Sequence, residues 1–172
     1  MQTETTYAEA SRTKYPEQVA VAIAKDPQGK YNPIALGWAM PASGSPPMWA
    51  ISVGKTRYSL EAIRGAKAFV LAFPSEHQER ETLLFGTRSG RDTDKLAEAG
   101  VATRPAAEID SVLLDEAVAN LECRLVGEIE SGDHVIFVGR VVCAHVNTEP
   151  LNRLYTVGPG YQMGGLARKA AR

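Results

Sequence analysis

Short apolar runs divided by turn-forming residues dominate the chain. Val19 to Ala24 (VAVAIA) has the length of a strand rather than a helix. Asp26-Pro27-Gln28-Gly29-Lys30 then reads as a turn, because proline sets φ and glycine accepts positive φ. The return segment, Tyr31 to Met40, predicts a hairpin whose second strand ends at Trp38 and Ala39. Pro41 to Pro47, rich in proline, glycine and serine, is expected as a turn. Met48 to Val53 is the next apolar run, and Gly54 stops it. Ser59 to Ala66 has a helical pattern, with Ser59 a suitable N-cap. Ala68 to Phe73 predicts a strand closed by Pro74, and His77 to Phe85 a helix. Gly86 to Asp92 is a polar loop. Asp92 or Thr93 is expected to cap a short helix over 94–99, which Gly100 ends. Residues 101–111 read as a connector.

Two longer strand patterns follow. Ala119 to Ile129 places Leu121, Cys123 and Leu125 on one face. Glu130-Ser131-Gly132-Asp133 reverses the chain. His134 to Val146 puts Val135, Phe137, Val141 and Cys143 on one face and Ile136, Val138, Val142, Ala144 and Val146 on the other. Both faces are apolar apart from Arg140, which predicts a central strand. Gly127 and Gly139 predict bulges or sharp coiling. Many strands at short spacing with few helices predict a mainly β fold, an antiparallel closed barrel of about six strands with the helices outside it. Residues 1–15 read as a polar N-terminal arm, 16–161 as the domain, and 162–172 as a C-terminal tail that frays from Gly164 onward.

At 172 residues, with 44% hydrophobic and 23% charged positions, a single globular domain is expected. The net charge of -1 gives no basic field for nucleic acid or an anionic membrane surface. No apolar run approaches the ~20 residues of a membrane span, and the N-terminus lacks a signal-peptide core. The expected location is the cytoplasm. Cys123 and Cys143 fall in apolar strand patterns and read as buried free thiols. Without a Cys-x-x-Cys motif or an evident Cys/His cluster, no metal site is expected. His77 and His145 have no evident companions and are given no role.

Candidate chemistry concentrates at Gly54-Lys55-Thr56-Arg57-Tyr58-Ser59, a strand-to-helix junction. A helix N-terminus offers backbone N–H groups and a positive dipole end, and two cations and two hydroxyls stand beside it. Basic residues are more often merely solvated, but this position favours a phosphate. Trp38 supplies a flat apolar surface nearby, so a nucleotide-like ligand is expected. No nucleophile with a paired base and no carboxylate pair suggests hydrolysis. No Gly-x-Gly-x-x-Gly segment suggests a Rossmann nicotinamide site.

Seven segments stand in a characteristic order. They are Asn32 before the strand ending in Trp38, Pro46-Pro47 leading into MWAISVG, Lys55-Thr56-Arg57-Tyr58-Ser59 opening a helix, and Phe69-Val70. Ser89-Gly90-Arg91-Asp92-Thr93-Asp94-Lys95, Ala119-Asn120-Leu121-Glu122-Cys123 and Gly132-Asp133-His134-Val135 complete the series. Over residues 16–161 this resembles the flavin reductase-like family of FMN-binding split barrels, in particular its flavoredoxin-like branch. The resemblance implies a Greek-key split β-barrel with a few peripheral helices. It also implies a homodimer with FMN in a groove near the subunit interface. Trp38, Ala39, Met40, Pro41 and Ser43 are then expected along the isoalloxazine. Val53, Gly54, Lys55, Thr56, Arg57 and Ser59 are expected at the phosphate and ribityl chain, with Ser89, Arg91 and Lys95 as a second polar cluster. His134, in the family's Gly-Asp-His segment, is the catalytic candidate beside flavin or nicotinamide. Met40-Pro41-Ala42 departs from the threonine- or serine-rich run of many members, which leaves backbone N–H groups for the ring's polar edge. The implied function is an NAD(P)H-dependent flavin reductase, with NADH or NADPH as a transient donor. The alternative is a flavoredoxin-like electron carrier that does not itself oxidise a nicotinamide, and a third reading is a flavin-binding protein with no redox partner. A redox partner protein or a flavin-dependent monooxygenase is the expected recipient.

Overall fold

The computed structural model describes residues 1–166. In chain order the elements begin with α1 (Tyr7–Ser11), β1 (Glu17–Gln18), β2 (Ala20–Lys25), β3 (Tyr31–Leu36), β4 (Ala39–Gly44) and β5 (Pro47–Gly54). Next come α2 (Ser59–Ala66), β6 (Ala68–Phe73), α3 (Glu79–Thr87), α4 (Lys95–Ala99), β7 (Thr103–Pro105) and β8 (Val112–Leu114). The last four are β9 (Ala119–Ser131), β10 (His134–Val146), β11 (Leu154–Gly158) and β12 (Gln162–Gly165).

Seven strands form one antiparallel sheet in the order β3-β2-β6-β9-β10-β5-β4. Every one of them sends side chains into a single core: Ala22 of β2, Leu36 of β3, Ala39 of β4, Ile51 of β5, Phe69 of β6, Cys123 of β9 and Phe137 of β10. Only a sheet curled on itself can bring both of its edges to one core, so the fold is a barrel. Its edge strands β3 and β4 are not paired with each other, and the barrel is split along that seam. Leu60, Ala62 and Ile63 of α2 join the same core. A second core covers the outside of β2 and β6, where Val21, Ile23, Val70 and Ala72 meet Phe85 of α3 and Val112 to Leu114 of β8. With both faces covered, β2 has to be a continuous apolar run.

Several expectations change. The segment expected as a turn from Pro41 to Pro47 is mostly strand β4, and only Ser45-Pro46 turns the chain between Gly44 and Pro47. Proline is tolerated there because β4 is an edge strand beside a register shift. The polar arm contains α1, started by a capping box between Thr6 and Glu9. Asp94, not Asp92 or Thr93, caps α4, and Gly100 closes it at φ 68°. The connector carries β7, which pairs with β8. β12 takes up Gln162–Gly165 of the expected tail and pairs with β11, which also holds β1. Residues 167–172 of that tail lie outside the described residues.

β10 has its expected bounds and lies between β9 and β5. Two register shifts interrupt its ladder with β9, at Val138/Gly139 and Val141/Cys143. The second inserts Val142, so Cys143 pairs with Glu122 on the barrel exterior and does not continue the face of Phe137. Cys143 is accordingly half-buried, whereas Cys123 is fully buried in the core.

The two strand glycines differ in what surrounds them. A Cβ on Gly139 would lie 2.7 Å from Phe69 Cζ and 2.8 Å from Cys123 Cβ, whereas one on Gly127 would meet nothing within 4 Å. Gly139→Ala is therefore expected to lower unfolding stability in urea by about 1–3 kcal/mol through overpacking. Gly127→Ala should stay within ~0.5 kcal/mol of the parent, as surface changes usually do. Equal effects of the two substitutions would contradict the packing described.

Candidate functional site

The site forms where two chain reversals face each other. The first joins β5 to α2. Its backbone turns through a bond from Arg57 N–H to the Gly54 carbonyl (2.9 Å), and Lys55 N–H donates to the Asp133 carbonyl (2.9 Å). Ser59 does not cap α2. The N-cap is Tyr58, which makes no side-chain cap bond, and the buried Ser59 hydroxyl accepts from Asn32 Nδ2 at 2.8 Å. The amides of Leu60 and Glu61 bond to the carbonyls of Arg57 and Tyr58. The expected free helix amides are therefore partly taken up within the turn, which leaves side chains as the main polar groups at this junction.

The second reversal runs from α3 to α4. Gly90 presses against the first: a Cβ there would lie 2.1 Å from Asn32 Oδ1 and 3.0 Å from Tyr58 Cδ1. Only glycine lets the two reversals approach so closely. Arg91 lies over the Tyr58 ring at 5.3 Å, and Ser89 Oγ accepts from Arg91 N–H. Lys95, the first residue of α4, is 3% exposed, and its ammonium donates to the Phe85 carbonyl at 3.3 Å.

A cavity of about 170 Å³ lies between these walls, lined by Thr56, Arg57, Ser59, Ser89, Arg91 and Lys95 among others. Among the described residues, Arg57, Arg91 and Lys95 have no carboxylate within ion-pair distance. Burial, and secondarily the charge of Arg57, lowers the Lys95 pKa to about 8. A cation whose charge is disfavoured by burial, with another cation beside it, is the electrostatic complement of an anion. The buried Asn32 Oδ1 also lacks a hydrogen-bond partner.

A cavity of about 510 Å³ adjoins the first and shares Ile34, Arg57, Gly86 and Thr87 with it. Its walls include Leu36, Gly37 and Trp38 of the seam, Tyr15 before β1, and Tyr161 and Met163 at the β11–β12 hairpin. A third space of about 220 Å³ lies on the other side of Trp38, against Ala39, Met40 and Ile136. Trp38 is 49% exposed and packs on His134, with ring centroids 4.7 Å apart. His134 Nδ1 is 2.7 Å from Asp133 Oδ1, and this bond holds the Asp133 carboxyl below its ordinary range.

The structure thus gathers Thr56, Arg57, Ser59, Ser89, Arg91 and Lys95 round one cavity and sets Trp38 at the mouth of the next. Other expected residues fall elsewhere. Lys55 is turned away, with Nζ 2.9 Å from Glu130 on the β9–β10 hairpin, so it is not a cation of this cavity. The Val53 side chain lies in the barrel core. Pro41 and Ser43 line none of the three spaces, and Ala39 and Met40 line only the third. Gly54 lies outside the cavities, where a Cβ would come 3.6 Å from His134 Nε2. His134 lines none of the three spaces and borders the site through its contact with Trp38 and its place beside Gly54. Tyr15, Thr87, Tyr161 and Met163 were not anticipated; Gly158-Pro159-Gly160 was the one turn signal near the last pair.

A family model described as flavin reductase like domain matches residues 11–163. A flavin reductase of Pseudomonas putida is 30% identical over 154 residues, covering 90% of this chain and 85% of that protein. Flavoredoxin from Methanosarcina acetivorans has the same fold, with a TM-score of 0.86 at 24% identity, covering 100% of this chain and 95% of that one. NADH:FAD oxidoreductase SgcE6 of Streptomyces globisporus gives 0.81 at 22% identity, covering 98% of each chain. The chain spans only 64%, 63% and 49% of the lengths of curated relatives from Archaeoglobus fulgidus, Pyrococcus abyssi and Aeropyrum pernix. The extent of the family match, together with the split barrel and its seam cavities, shows that this chain belongs to the flavin reductase-like family.

Proposed function

We propose that the chain binds FMN and works as an NAD(P)H-dependent flavin reductase. The observation that carries this reading is the buried ammonium of Lys95. It opens, with Arg57 and Arg91, on a cavity of phosphate-like size that leads into a larger space walled by Trp38. Three cations without carboxylate partners suit the dianion of a phosphate monoester better than a neutral ligand. Lys95 and Arg57 would hold the phosphate, Arg91 would close over it from the Tyr58 ring, and Trp38 would flank the isoalloxazine. FMN held there would supply the redox chemistry of hydride acceptance and electron release. The protein's part is to fix the phosphate end and leave one ring face open along the exposed side of Trp38 for NADH or NADPH.

Release of electrons to a redox protein, with no oxidation of a nicotinamide, is the second reading. It is favoured by the fold shared with flavoredoxin and by the exposed edge of Trp38. Anaerobic mixing with NADH or NADPH separates the two: rapid bleaching of bound flavin supports the reductase, and an unbleached flavin that a reduced protein partner can bleach supports the carrier. The recipient in either case is taken to be a partner protein such as a flavin-dependent monooxygenase. Both cysteines are free, which suits a reducing cytoplasm, and no helix among the described residues is long and apolar enough to cross a membrane. The chain is also proposed to dimerise through the outer face of β10. There Ile136 and Val138, in the half of the strand before the bulge, are only partly covered. Sedimentation at micromolar concentration should give twice the chain mass of 18.5 kDa; a monomer would refute the interface.

Charge-assisted hydrogen bonds contribute roughly 1.5–3 kcal/mol each. Arg57→Ala should therefore weaken FMN about tenfold to a hundredfold, since ~1.4 kcal/mol is tenfold. Riboflavin, which lacks phosphate, should be nearly unaffected in the same fluorescence titration. Equal losses for both flavins would refute the phosphate assignment.

The pH dependence follows from Lys95. FMN binds the protonated form better, so binding raises a pKa that starts at about 8. Affinity is then retained below pH 8 and declines as pH rises above it, while riboflavin stays flat. On the acid side the phosphate monoester loses its second charge near pH ~6. The greatest FMN affinity is expected between these limits. Lys95→Met should remove the alkaline decline, weaken FMN, and leave the ligand-free protein as stable as the parent or more so.

A further inference from the structure

The far end of the β9–β10 ladder carries a group that the flavin site does not use. Glu122, Cys143 and His145 present a carboxylate oxygen, a sulfur and a ring nitrogen that all lie within 4.8 Å of one another. Cys143 is nine residues along β10 from His134, roughly 30 Å of extended strand, and none of the three residues lines the seam cavities.

The bulge at Val142 builds this arrangement. Strict alternation from Val141 would send Cys143 into the barrel, but the extra residue pairs it with Glu122 on the outside. His145, two residues on, shares that face. Glu122 is fully buried although it points outward, because the connector before β8 covers it. Its Oε1 accepts from Ala107 N–H at 2.8 Å and its Oε2 from Glu108 N–H at 2.7 Å. Those bonds fix the plane of the carboxylate, as supporting bonds do for metal-binding carboxylates. One atom of His145 faces both other groups: Nε2 is 2.7 Å from Glu122 Oε1 and 3.5 Å from Cys143 Sγ. Cys143 and His145 are partly exposed, so the cluster is open to solvent on one side.

We propose that Glu122, Cys143 and His145 bind one divalent ion of the zinc class, with a fourth coordination position open to solvent. Thiolate, imidazole and carboxylate together suit a borderline-soft ion and not magnesium or calcium. Tetrahedral zinc, with bonds of about 2.0–2.3 Å, sets N···S near ~3.6 Å and N···O near ~3.4 Å. The sulfur already stands at the required distance from Nε2. The imidazole has to withdraw about 0.7 Å from the carboxylate to meet that N···O spacing, which its half-exposed ring permits. Cys123 is no rival ligand, because its thiol is buried in the barrel core, on the opposite face of β9 from Glu122. The absence of a Cys-x-x-Cys motif hid this group: Cys143-Ala144-His145 makes an adjacent pair only on a strand, and the third ligand comes from the neighbouring strand.

Cobalt(II) is the probe, added to the full chain under reducing, anaerobic conditions. The expected result is one cobalt per chain, with a thiolate-to-metal charge-transfer band in the near ultraviolet and visible bands of tetrahedral intensity, all displaced by zinc. Cys143→Ser should abolish the charge-transfer band. His145→Gln should weaken cobalt by more than roughly a hundredfold, beyond the ~10–100-fold that loss of a supporting residue alone costs. Far-ultraviolet circular dichroism and the unfolding midpoint report whether each variant is folded. A parent chain that shows no stoichiometric band at saturating cobalt overturns the proposal. So does a folded Cys143→Ser variant that keeps the band, or a folded His145→Gln variant that keeps full affinity.

Discussion

A lysine that is 3% exposed, its ammonium held among the described residues by one backbone carbonyl, is the constraint round which this site is arranged. Its pKa falls from 10.5 to about 8, a penalty on the order of 3 kcal/mol for the charged form. A fold shaped by stability alone would place an apolar side chain or a carboxylate there. Here the neighbours are Arg57 on the facing wall and Arg91 on the wall that carries Lys95 itself. The chain carries in this imbalance a local cost that the proposed anion would relieve.

The barrel makes the imbalance possible. Curling the sheet brings β3 and the end of β5 together, so that Asn32 reaches Ser59 and Gly90 can pack against Asn32 and Tyr58. The two reversals are thereby held face to face by buried contacts and not by the ligand. The seam between β3 and β4 leaves room beside Trp38, and the β1–β11–β12 sheet closes the far wall with Tyr161 and Met163. For the proposed FMN this arrangement would give a rigid phosphate end and an open ring end, as a protein needs if its cofactor must meet a second, diffusing molecule.

Much of this was legible in the sequence because it depends on local pattern. The apolar runs at 19–24, which became β2 one residue later, and at 68–73 and 134–146, the α2 bounds and the glycine ending α4 follow from periodicity and turn chemistry. Arg57, Ser89, Arg91 and Lys95 were found from a junction motif and an ordered resemblance. The misses share a cause, which is that they are set by neighbours distant in sequence. Lys55 has a good phosphate-binding context until Glu130 arrives from the opposite hairpin. Ser59 is a good cap until Asn32 takes its hydroxyl. β4 reads as a turn because an edge strand tolerates Pro41, and β1, β11 and β12 are too short to show a period. Cys143 and His145 changed face because one inserted residue reverses the parity of everything after it.

The central claim is that the cavity of Arg57, Arg91 and Lys95 receives the phosphate of a flavin. Its most direct test is a crystal structure of the chain with FMN. The account predicts the phosphate between the α2 and α4 starts, with an oxygen within hydrogen-bond distance of Lys95 Nζ, and the isoalloxazine beside Trp38. A flavin whose phosphate lies in solvent, or against Lys55 and the β9–β10 hairpin, would contradict it.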